Sequence, residues 1–390
     1  MKGCTMALAE LTYCKKCVSP NTRPGMDFDE YGVCSACRQY EQRTAVDWNA
    51  RLEEFKLLLD RYRSNDGANY DCIVGVSGGK DSTYQLVTLK KMGLKPLAVT
   101  AVTCDLSPLG QKNLANLSSL GFDRIEIATA RWVRVAMNRH ALRTIGDISW
   151  PEHTSIYSAP LRVGVQLGIP LQVWGENPVN EFGGVKGAAQ ASKLTSEWFD
   201  AFSTPNGLSI NDFIGIDGIT KQDVLTFMPP DPQAAEAIGL TGVFMGYYIP
   251  WDGLRNMIIS QGFGMSAYDS AVEGGLLDCE NLDNHQAGIH EYFMFLKFGF
   301  GRATTQANLL VRRERIGREE AAELVRLREG KFPWTYLGKP LQVILDDIEM
   351  EMDEFVALCD KFANKAIFKR DSRGDLIKDK QGNLTKILYA

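Results

Sequence analysis

Long apolar runs, a secretion signal and a large excess of one charge are all missing from this 390-residue sequence. No apolar run approaches the ~20 residues of a membrane-spanning helix, so a membrane protein is not expected. The first residues lack a basic segment followed by an apolar core, which favours a cytoplasmic location. The net charge of −5 does not favour nucleic acid as a partner. The hydrophobic content of 45% is typical of a globular protein, and the length allows two or three domains.

Histidine is scarce, with four residues, but cysteine is not, with nine. Four of the cysteines form two pairs with metal-knuckle spacing, Cys14-x-x-Cys17 and Cys34-x-x-Cys37. Each pair can present two thiolates to one ion, and two pairs complete a tetrahedral site. A structural zinc in a ribbon over residues 1–46 is the favoured interpretation. An iron–sulfur cluster and a redox pair of disulfides are the alternatives.

A glycine loop lies between an apolar segment at 72–76 and an amphipathic segment at 83–92. Adjacent glycines allow the backbone to close around an anion, and a helix start directs free N–H groups at that anion. The spacing is not that of a Walker A motif. The loop resembles the PP-loop of the N-type ATP pyrophosphatases, and an ordinary tight turn is the alternative. The predicted ATP- and pyrophosphate-binding residues of the loop are Ser77, Gly78, Gly79, Lys80, Asp81 and Ser82.

Apolar and amphipathic segments alternate regularly between residues 69 and 250. That order predicts an α/β fold with a doubly wound parallel sheet covered by helices on both faces. Predicted strands are 72–76, 97–102, 124–127, 171–174 and 242–247, and predicted helices are 83–92, 112–120, 132–145, 158–167, 319–328 and 341–362. A helix within 47–68, capped by Asp47, is predicted to link the ribbon to this domain. An insertion at about 183–239 interrupts the domain, and a mainly helical region follows at 251–390.

Ligands of parallel sheets bind beyond the carboxyl ends of the strands. Carboxylates at these ends can hold magnesium or a protonated amine, and Asp81, Glu176 and Glu181 are the candidates. Helix capping is the alternative role for Asp81 and the expected role for Asp252. Thr103 and Gly175, which also follow predicted strands, are predicted to bind ATP or pyrophosphate, and Glu176, Asn177 and Glu181 lie at or just beyond the same strand end as Gly175.

Four later blocks make the sequence resemble one family specifically. They are WGEN at 174–177, WDG at 251–253, NLDNHQAGIHEY at 281–292 and FLKFGFGRAT at 295–304. Together with the ribbon and the loop, they resemble the N-acetyl sugar amidotransferases of bacterial surface polysaccharide and nonulosonic acid pathways. The resemblance implies an adenine nucleotide alpha hydrolase-like fold, ATP as co-substrate and magnesium as cofactor. It also implies that AMP is transferred to an acetamido oxygen of a sugar or nucleotide sugar, and that ammonia then forms an acetamidine.

The resemblance also implies roles for particular residues. The loop would stabilise departing pyrophosphate, and Asp81 would hold magnesium. Lys80, Asp81 and Glu176 are the catalytic candidates. The substrate-binding candidates are Asn177, Glu181, His285, His290, Lys297 and Arg302. A packing or capping role is the alternative for the two histidines, and the arginines at 312, 313, 315 and 318 are expected on a solvated helix face or a partner surface.

Ammonia is the family's nucleophile, so no catalytic cysteine is required. Cys104 and Cys279 have acidic neighbours, which raise the pKa of a thiol. The resemblance implies a separate glutaminase as partner, with a cyclase-like barrel protein as a conduit. A tRNA thiolase is one alternative, but no cysteine lies between these two and no CxxC follows Cys37. A non-catalytic zinc-ribbon module is the other, and the intact loop is evidence against it.

Overall fold

The computed structural model describes residues 10–64, 66–177, 181–182, 193–194 and 207–390. Within them, the central sheet contains β1 (Cys72–Gly75), β2 (Pro96–Ala101), β3 (Arg124–Ile127), β4 (Leu171–Trp174), β5 (Lys193–Leu194) and β6 (Thr241–Phe244). The order of the strands is β3-β2-β1-β4-β6-β5. The first five strands in this order are parallel, and β5 is antiparallel to β6 at the edge. The predicted parallel sheet is confirmed.

Helices cover both faces of the sheet. Ile73 and Leu97 pack in one cluster with Val163, whereas Val74 packs on the other face in a cluster with Leu86. In chain order the helices are α1 (Ser35–Gln42), α2 (Trp48–Arg61), α3 (Lys80–Lys91), α4 (Pro108–Ser119), α5 (Arg131–Ile145), α6 (Trp150–Leu167), α7 (Pro232–Ala237), α8 (Met245–Tyr248), α9 (Gly253–Gly262), α10 (Ala287–Phe298), α11 (Arg302–Arg312), α12 (Arg318–Arg328), α13 (Leu341–Asp347) and α14 (Met352–Phe362). A separate hairpin joins β7 (Thr335–Tyr336) and β8 (Lys339–Pro340).

Several predicted elements have different bounds in the structure, and three of the differences have a clear local cause. The strand predicted at 242–247 ends at Phe244, because the chain turns there into the short helix α8. The helix predicted at 158–167 begins already at Trp150 and continues through Pro160, which removes one hydrogen-bond donor without ending the helix. The helix predicted at 341–362 is two helices, and Glu349 between them has a φ of 55°. A left-handed residue cannot continue a right-handed helix.

The helix predicted within 47–68 is α2, and it belongs to the core of the sheet domain. Asp47 caps it by accepting hydrogen bonds from the N–H groups of Asn49 and Ala50. Phe55 stacks on Tyr248, with 4.8 Å between the ring centroids. The stacking fixes α2 against α8, which directly follows strand β6.

The ribbon packs on helices of the C-terminal region. The Val18 N–H donates to Asn308 Oδ1 at 2.9 Å, and Arg318 Nε donates to the Cys14 carbonyl at 3.1 Å. Val18 also joins an apolar cluster with Ala303. These contacts place the cysteine knuckles against α11 and α12, far along the chain.

The predicted insertion lies partly outside the described residues, which omit 183–192 and 195–206. Of the described part, Phe213 and Phe227 pack in a cluster with Trp150 of α6. This cluster covers the sheet domain on the side of α5 and α6. In the described part of the chain, no helix has the length and apolar character that crossing a bilayer requires.

Candidate active site

The glycine loop between β1 and α3 brings backbone N–H groups to the carboxyl edge of the sheet. Gly78 has a φ of +80°, and a Cβ there would lie 2.7 Å from the backbone nitrogen of Leu114. Glycine alone tolerates this combination of conformation and close approach. Because α3 begins at Lys80, directly after Gly79, the amides of its first turn have no acceptor within the helix. This arrangement suits an anion such as a phosphate.

A cavity of about 390 Å³ opens beside the loop. Tyr157 and Trp174 form part of its wall, with 4.6 Å between their ring centroids, and an aromatic wall beside a phosphate-type loop suits a nucleotide. Thr103 Oγ1 is buried and has no hydrogen-bond partner among the described residues. The lining brings together these residues predicted from the sequence: Ser77, Gly79, Lys80, Asp81, Ser82, Thr103, Gly175, Glu176, Glu181 and Arg302.

Lys80 lies between two carboxylates in this cavity. Its Nζ is 2.6 Å from Asp81 Oδ2 and 3.2 Å from Glu280 Oε1. Asn256 donates a hydrogen bond of 2.8 Å to the other oxygen of Asp81. Burial opposes the charge of the lysine, but Asp81 and Glu280 raise the pKa of Lys80 above its ordinary value. The lysine therefore stays protonated and keeps a positive charge beside the loop.

Sequence reasoning missed Glu280 and Asn256 as site residues. Although burial alone would raise the pKa of Glu280, the positive charges of Lys80 and Arg302 lower it to about 2. Gln306 donates a hydrogen bond of 2.9 Å to the second carboxylate oxygen. The polar block at 281–292 directly follows Glu280 and is the sequence signal that could have identified it. Asn256 has no comparable signal, because only the packing of α9 against α3 brings it to Asp81.

Glu176 lies just beyond β4 and titrates near neutral pH. Burial raises its pKa, and the negative charge of Asp81 raises it further, to about 7. A carboxyl group with such a pKa can accept or donate a proton under physiological conditions. Asn177, the next residue, is buried and has a partner.

The carboxylates of the cavity fit a magnesium ion. Asp81, Glu176, Glu280 and Asp283 all line it. Magnesium prefers carboxylate oxygens together with water and phosphate oxygens. Burial raises the pKa of Asp283, which also accepts a hydrogen bond from Ser77. The donor set therefore suits magnesium that enters with a nucleotide, with Asp81 next to the loop.

Glu181 lies at the wall of the cavity, where its carboxylate binds two arginines. Arg43 NH1 is 2.7 Å from Oε1, and Arg313 NH2 is 2.5 Å from Oε2. Arg315 binds Asp252, which caps α9 as predicted. For Arg313 the expectation of a solvated helix face is wrong, because a buried carboxylate from a distant segment pairs with it.

Arg302 separates this cavity from a second, larger one and lines both. Its Nε and NH2 donate to Glu291 Oε1 at 2.9 and 2.5 Å. Its NH1 lies 4.0 Å from Glu280 Oε2. Arg302 is thus joined through Glu280 to Lys80, across the wall between the two cavities.

The second cavity has a volume of about 810 Å³ and lies in the C-terminal region. Tyr292, Phe332 and Trp334 contribute aromatic rings to its lining, and Glu291 and Arg302 contribute charges. Glu291 Oε2 is buried without a hydrogen-bond partner among the described residues. A cavity with aromatic faces and buried polar atoms can take a polar organic ligand.

Three predicted substrate residues make other contacts. His285 Nδ1 is 3.2 Å from Asp105 Oδ1, and His290 Nδ1 is 2.7 Å from Asp147 Oδ1. Lys297 donates to a backbone carbonyl at 3.2 Å. None of these three described side chains lines either cavity. For the histidines, these contacts agree with the alternative of a packing role.

The four knuckle cysteines converge on one point. Their Sγ atoms all lie within 4.8 Å of one another, and those of Cys17 and Cys34 are 3.7 Å apart. A tetrahedral zinc with Zn–S bonds of about 2.3 Å places sulfur atoms about 3.8 Å apart. The N–H groups of Cys17 and Cys34 point at Cys14 Sγ, at 3.4 and 3.3 Å, and such contacts stabilise a metal-bound thiolate. The cluster, which Cys37 completes, therefore fits zinc.

Two cysteines nearer the sheet are not activated. Burial raises the pKa of both Cys104 and Cys279 to about 12. Glu152 raises the pKa of Cys104 further, and Glu280 does so for Cys279. The predicted direction is confirmed, but burial is the main cause rather than the acidic neighbours in the sequence.

Comparisons with known proteins concern mainly the C-terminal region. Residues 265–381 match the family model described as "LPS biosynthesis protein WbpG-like, C-terminal domain". Among solved structures, the NMN synthetase of Francisella tularensis matches at 13% identity and a TM-score of 0.27, over 57% of this chain and 98% of that chain. A TM-score this low supports no statement about function. No curated protein sequence matches the chain significantly. In residues 265–381, which contain all but one of the residues lining the second cavity, the chain is thus similar to a domain of lipopolysaccharide biosynthesis proteins.

Proposed function

We propose that this chain is an ATP-dependent amidotransferase that converts the acetamido group of a bacterial sugar into an acetamidine. The sugar belongs to lipopolysaccharide, O-antigen or nonulosonic acid biosynthesis. The observation that carries the proposal is the pair of adjoining cavities that share Arg302. One contains a phosphate-type loop at the carboxyl edge of a parallel sheet, and the other lies in the region similar to an LPS biosynthesis domain.

The first step is adenylation. The acetamido oxygen attacks the α-phosphorus of ATP, and the bond to pyrophosphate breaks. The first-turn amides of α3 and the charge of Lys80 stabilise the leaving pyrophosphate. Asp81 would hold a magnesium ion that enters with ATP, and that ion would neutralise further phosphate charge. The product of the step is an imidate that carries AMP on its former carbonyl oxygen.

The second step is substitution by ammonia. Ammonia attacks the imidate carbon, AMP leaves with the oxygen, and an acetamidine remains. The nitrogen loses a proton during this attack, and in this proposal Glu176 accepts it, which its raised pKa of about 7 supports. In this proposal ammonia comes from a separate glutaminase, with a cyclase-like barrel protein as a conduit. The raised pKa values of Cys104 and Cys279 disfavour either thiol as the nucleophile of a built-in glutaminase. The ribbon zinc is structural in this proposal.

The two alternatives have less support. A thiolase needs a cysteine that carries sulfur beside the nucleotide, and the raised pKa values of Cys104 and Cys279 disfavour a reactive thiolate. A non-catalytic module has no need of the charged network of Lys80, Asp81 and Glu280. Burying such a network without a ligand to act on is costly.

The test is turnover of candidate acetamido sugars and nucleotide sugars with ATP, magnesium and isotope-labelled ammonium. We expect AMP and pyrophosphate in equal amounts, with the label in an amidine nitrogen of the sugar. Glutamine in place of ammonium should give no product with the chain alone. ADP as the nucleotide product, or AMP release without labelled sugar from any candidate, would refute the proposal. Glutamate release from glutamine by the pure chain would refute the separate glutaminase.

A further inference from the structure

Two of the four histidines meet a buried carboxylate outside both cavities. His153 lies on α6, His290 lies on α10, and Asp147 lies in the loop after α5. One ligand atom of each lies within 4.8 Å of the others. In the described part of the chain, this group and the ribbon cysteines are the two places where three or more such ligands converge. We propose that Asp147, His153 and His290 form a second metal site, for a first-row divalent transition metal such as zinc.

The separations suit coordination of one ion. Asp147 Oδ1 is 2.7 Å from His290 Nδ1, and the rings of His153 and His290 meet edge to face with 4.9 Å between centroids. Ligands bound at about 2.1 Å with tetrahedral or octahedral angles lie about 3.0–3.4 Å apart. The separation of 2.7 Å between Asp147 and His290 lies just below this range, and the limit of 4.8 Å on the other ligand-atom separations lies above it, so the three side chains can share one ion after small movements.

His153 distinguishes a metal site from a simple aspartate–histidine pair. In the described part of the chain, its ring meets that of His290 edge to face and forms no ion pair with a carboxylate. The side chain is nevertheless partly buried, so it has lost much of its hydration. Polar groups that lose water normally gain another partner. An ion shared with His290 and Asp147 supplies that partner.

Neighbouring contacts hold the ligands in place. The Ser149 N–H donates to Asp147 Oδ1 at 3.0 Å, and Lys297 donates to the carbonyl of Ile145, just before the loop, at 3.2 Å. Such outer contacts orient metal ligands. Two imidazoles and one carboxylate are the donor set of several zinc and non-haem iron sites, which keep a position open for water.

The location gives the proposed ion a role in the architecture. His290 directly precedes Glu291, which binds Arg302 at the wall between the cavities. An ion held by His290, His153 and Asp147 ties α10 to α6 and to the end of α5. The ion therefore fixes the segment of α10 that contains Glu291, whichever reaction the cavities serve.

The test compares metal content of the full chain and of ligand variants after exposure to excess zinc and removal of weakly bound ions. We expect wild type to hold one ion more than Asp147→Asn and one more than His153→Gln. His140→Gln is the matched control, because His140 lies on α5 outside the cluster, and it should keep the wild-type content. The difference of one ion is the readout, whatever the ribbon holds.

Cobalt spectroscopy of wild type provides a measurement that needs no variant to fold. With the ribbon already loaded with zinc, added cobalt should give visible d–d bands without a thiolate charge-transfer band. In His153→Gln the affinity for this cobalt should fall at least ~100-fold, since even outer contacts of metal ligands cost 10–100-fold. Wild type that takes up no further cobalt, or His153→Gln that takes it up equally well, would overturn the proposal.

Discussion

The two sides of the candidate active site are built in different ways. On one side, residues 77–82 form the phosphate-type loop from a single continuous segment between β1 and α3. On the other side, Glu280, Glu291 and Arg302 come from a turn and from two helices of the C-terminal region. The first side depends on backbone conformation, whereas the second depends on ion pairs between segments. Charge at the loop is therefore controlled by residues some 200 positions away, since Glu280 contacts Lys80 at 3.2 Å.

Like the loop, the ribbon is specified by residues that are close in the sequence, since each cysteine knuckle spans four residues. We expect Cys34→Ser to abolish zinc binding at the ribbon, a loss of one ion per chain, and to cause the largest loss of stability. Structural zinc contributes about 10–16 kcal/mol of apparent binding free energy in small zinc modules. Elemental analysis and thermal unfolding measure the two effects, and nucleotide binding should change less than stability. Cys104→Ser is the control and should retain zinc. A variant that keeps the full wild-type zinc content, or an iron–sulfur absorption band in wild type, would contradict a zinc ribbon.

The loop is the second place to test local encoding. Lys80→Ala and Asp81→Ala should each slow adenylation by about 2.7–4 kcal/mol, roughly 10²–10³ in rate, with the fold intact. The reason is loss of preorganised charge beside the leaving pyrophosphate. Pyrophosphate release measures the effect, and Lys91→Ala, an exposed change at the end of α3, is the control. Near-normal release in both loop variants would show that the loop does not act on phosphates.

Glu280→Gln tests the long-range side through the pH dependence of stability. The folded-state pKa of Glu280 is about 2 against an ordinary 4.5, so its stabilising contribution is fully present above 4.5 and is lost as the pH falls toward 2. At pH 7 the variant should lose up to about 3 kcal/mol of unfolding free energy. The difference from wild type should shrink below pH 4.5, as measured by urea unfolding at several pH values. If the difference in unfolding free energy between wild type and variant is constant with pH, the ion pair of Glu280 with Lys80 does not stabilise the fold.

Arg302→Lys should have the smallest effect, and it probes the wall between the cavities. Lysine keeps the charge but loses the two donors that bind Glu291 together. We expect the KM for the sugar to rise about tenfold, or ~1.4 kcal/mol, with little change in ATP binding. Arg326→Lys, at an exposed pair with Glu323, is the control. Equal effects on both substrates would mean that Arg302 acts on the whole fold rather than on the second cavity.

Sequence patterns predicted those parts of the site that rest on neighbouring residues. The glycine pair, the strand before it and the helix after it are contiguous, so Gly78 and Lys80 could be assigned from spacing alone. Glu176 could be selected because it directly follows a strand of a parallel sheet. The pKa of Glu176, about 7, could not be predicted from the sequence, because that value depends on burial and on Asp81, which follows another strand.

Tertiary packing decided the partners of the charged residues. The sequence pattern predicted Arg313 to lie on a solvated helix face or a partner surface. In the structure its side chain is buried against Glu181, which is 132 positions away. His290 and Lys297 were substrate-binding candidates in the sequence. In the structure they contact Asp147 and the end of α5. Ion pairs and hydrogen bonds depend on a few ångströms of distance, and sequence periodicity carries no information on distances between remote segments.

The sequence by itself determined the parallel sheet, the phosphate-type loop and the two cysteine knuckles. Each of these depends on local spacing and on backbone conformations that only certain residues adopt. The tertiary structure alone decided that Glu280 sets the charge around Lys80, that Arg302 divides two cavities, and that Asp147, His153 and His290 converge. These features arise from long-range packing of the C-terminal region on the sheet domain, because burial and proximity give a charged side chain its partner and its pKa.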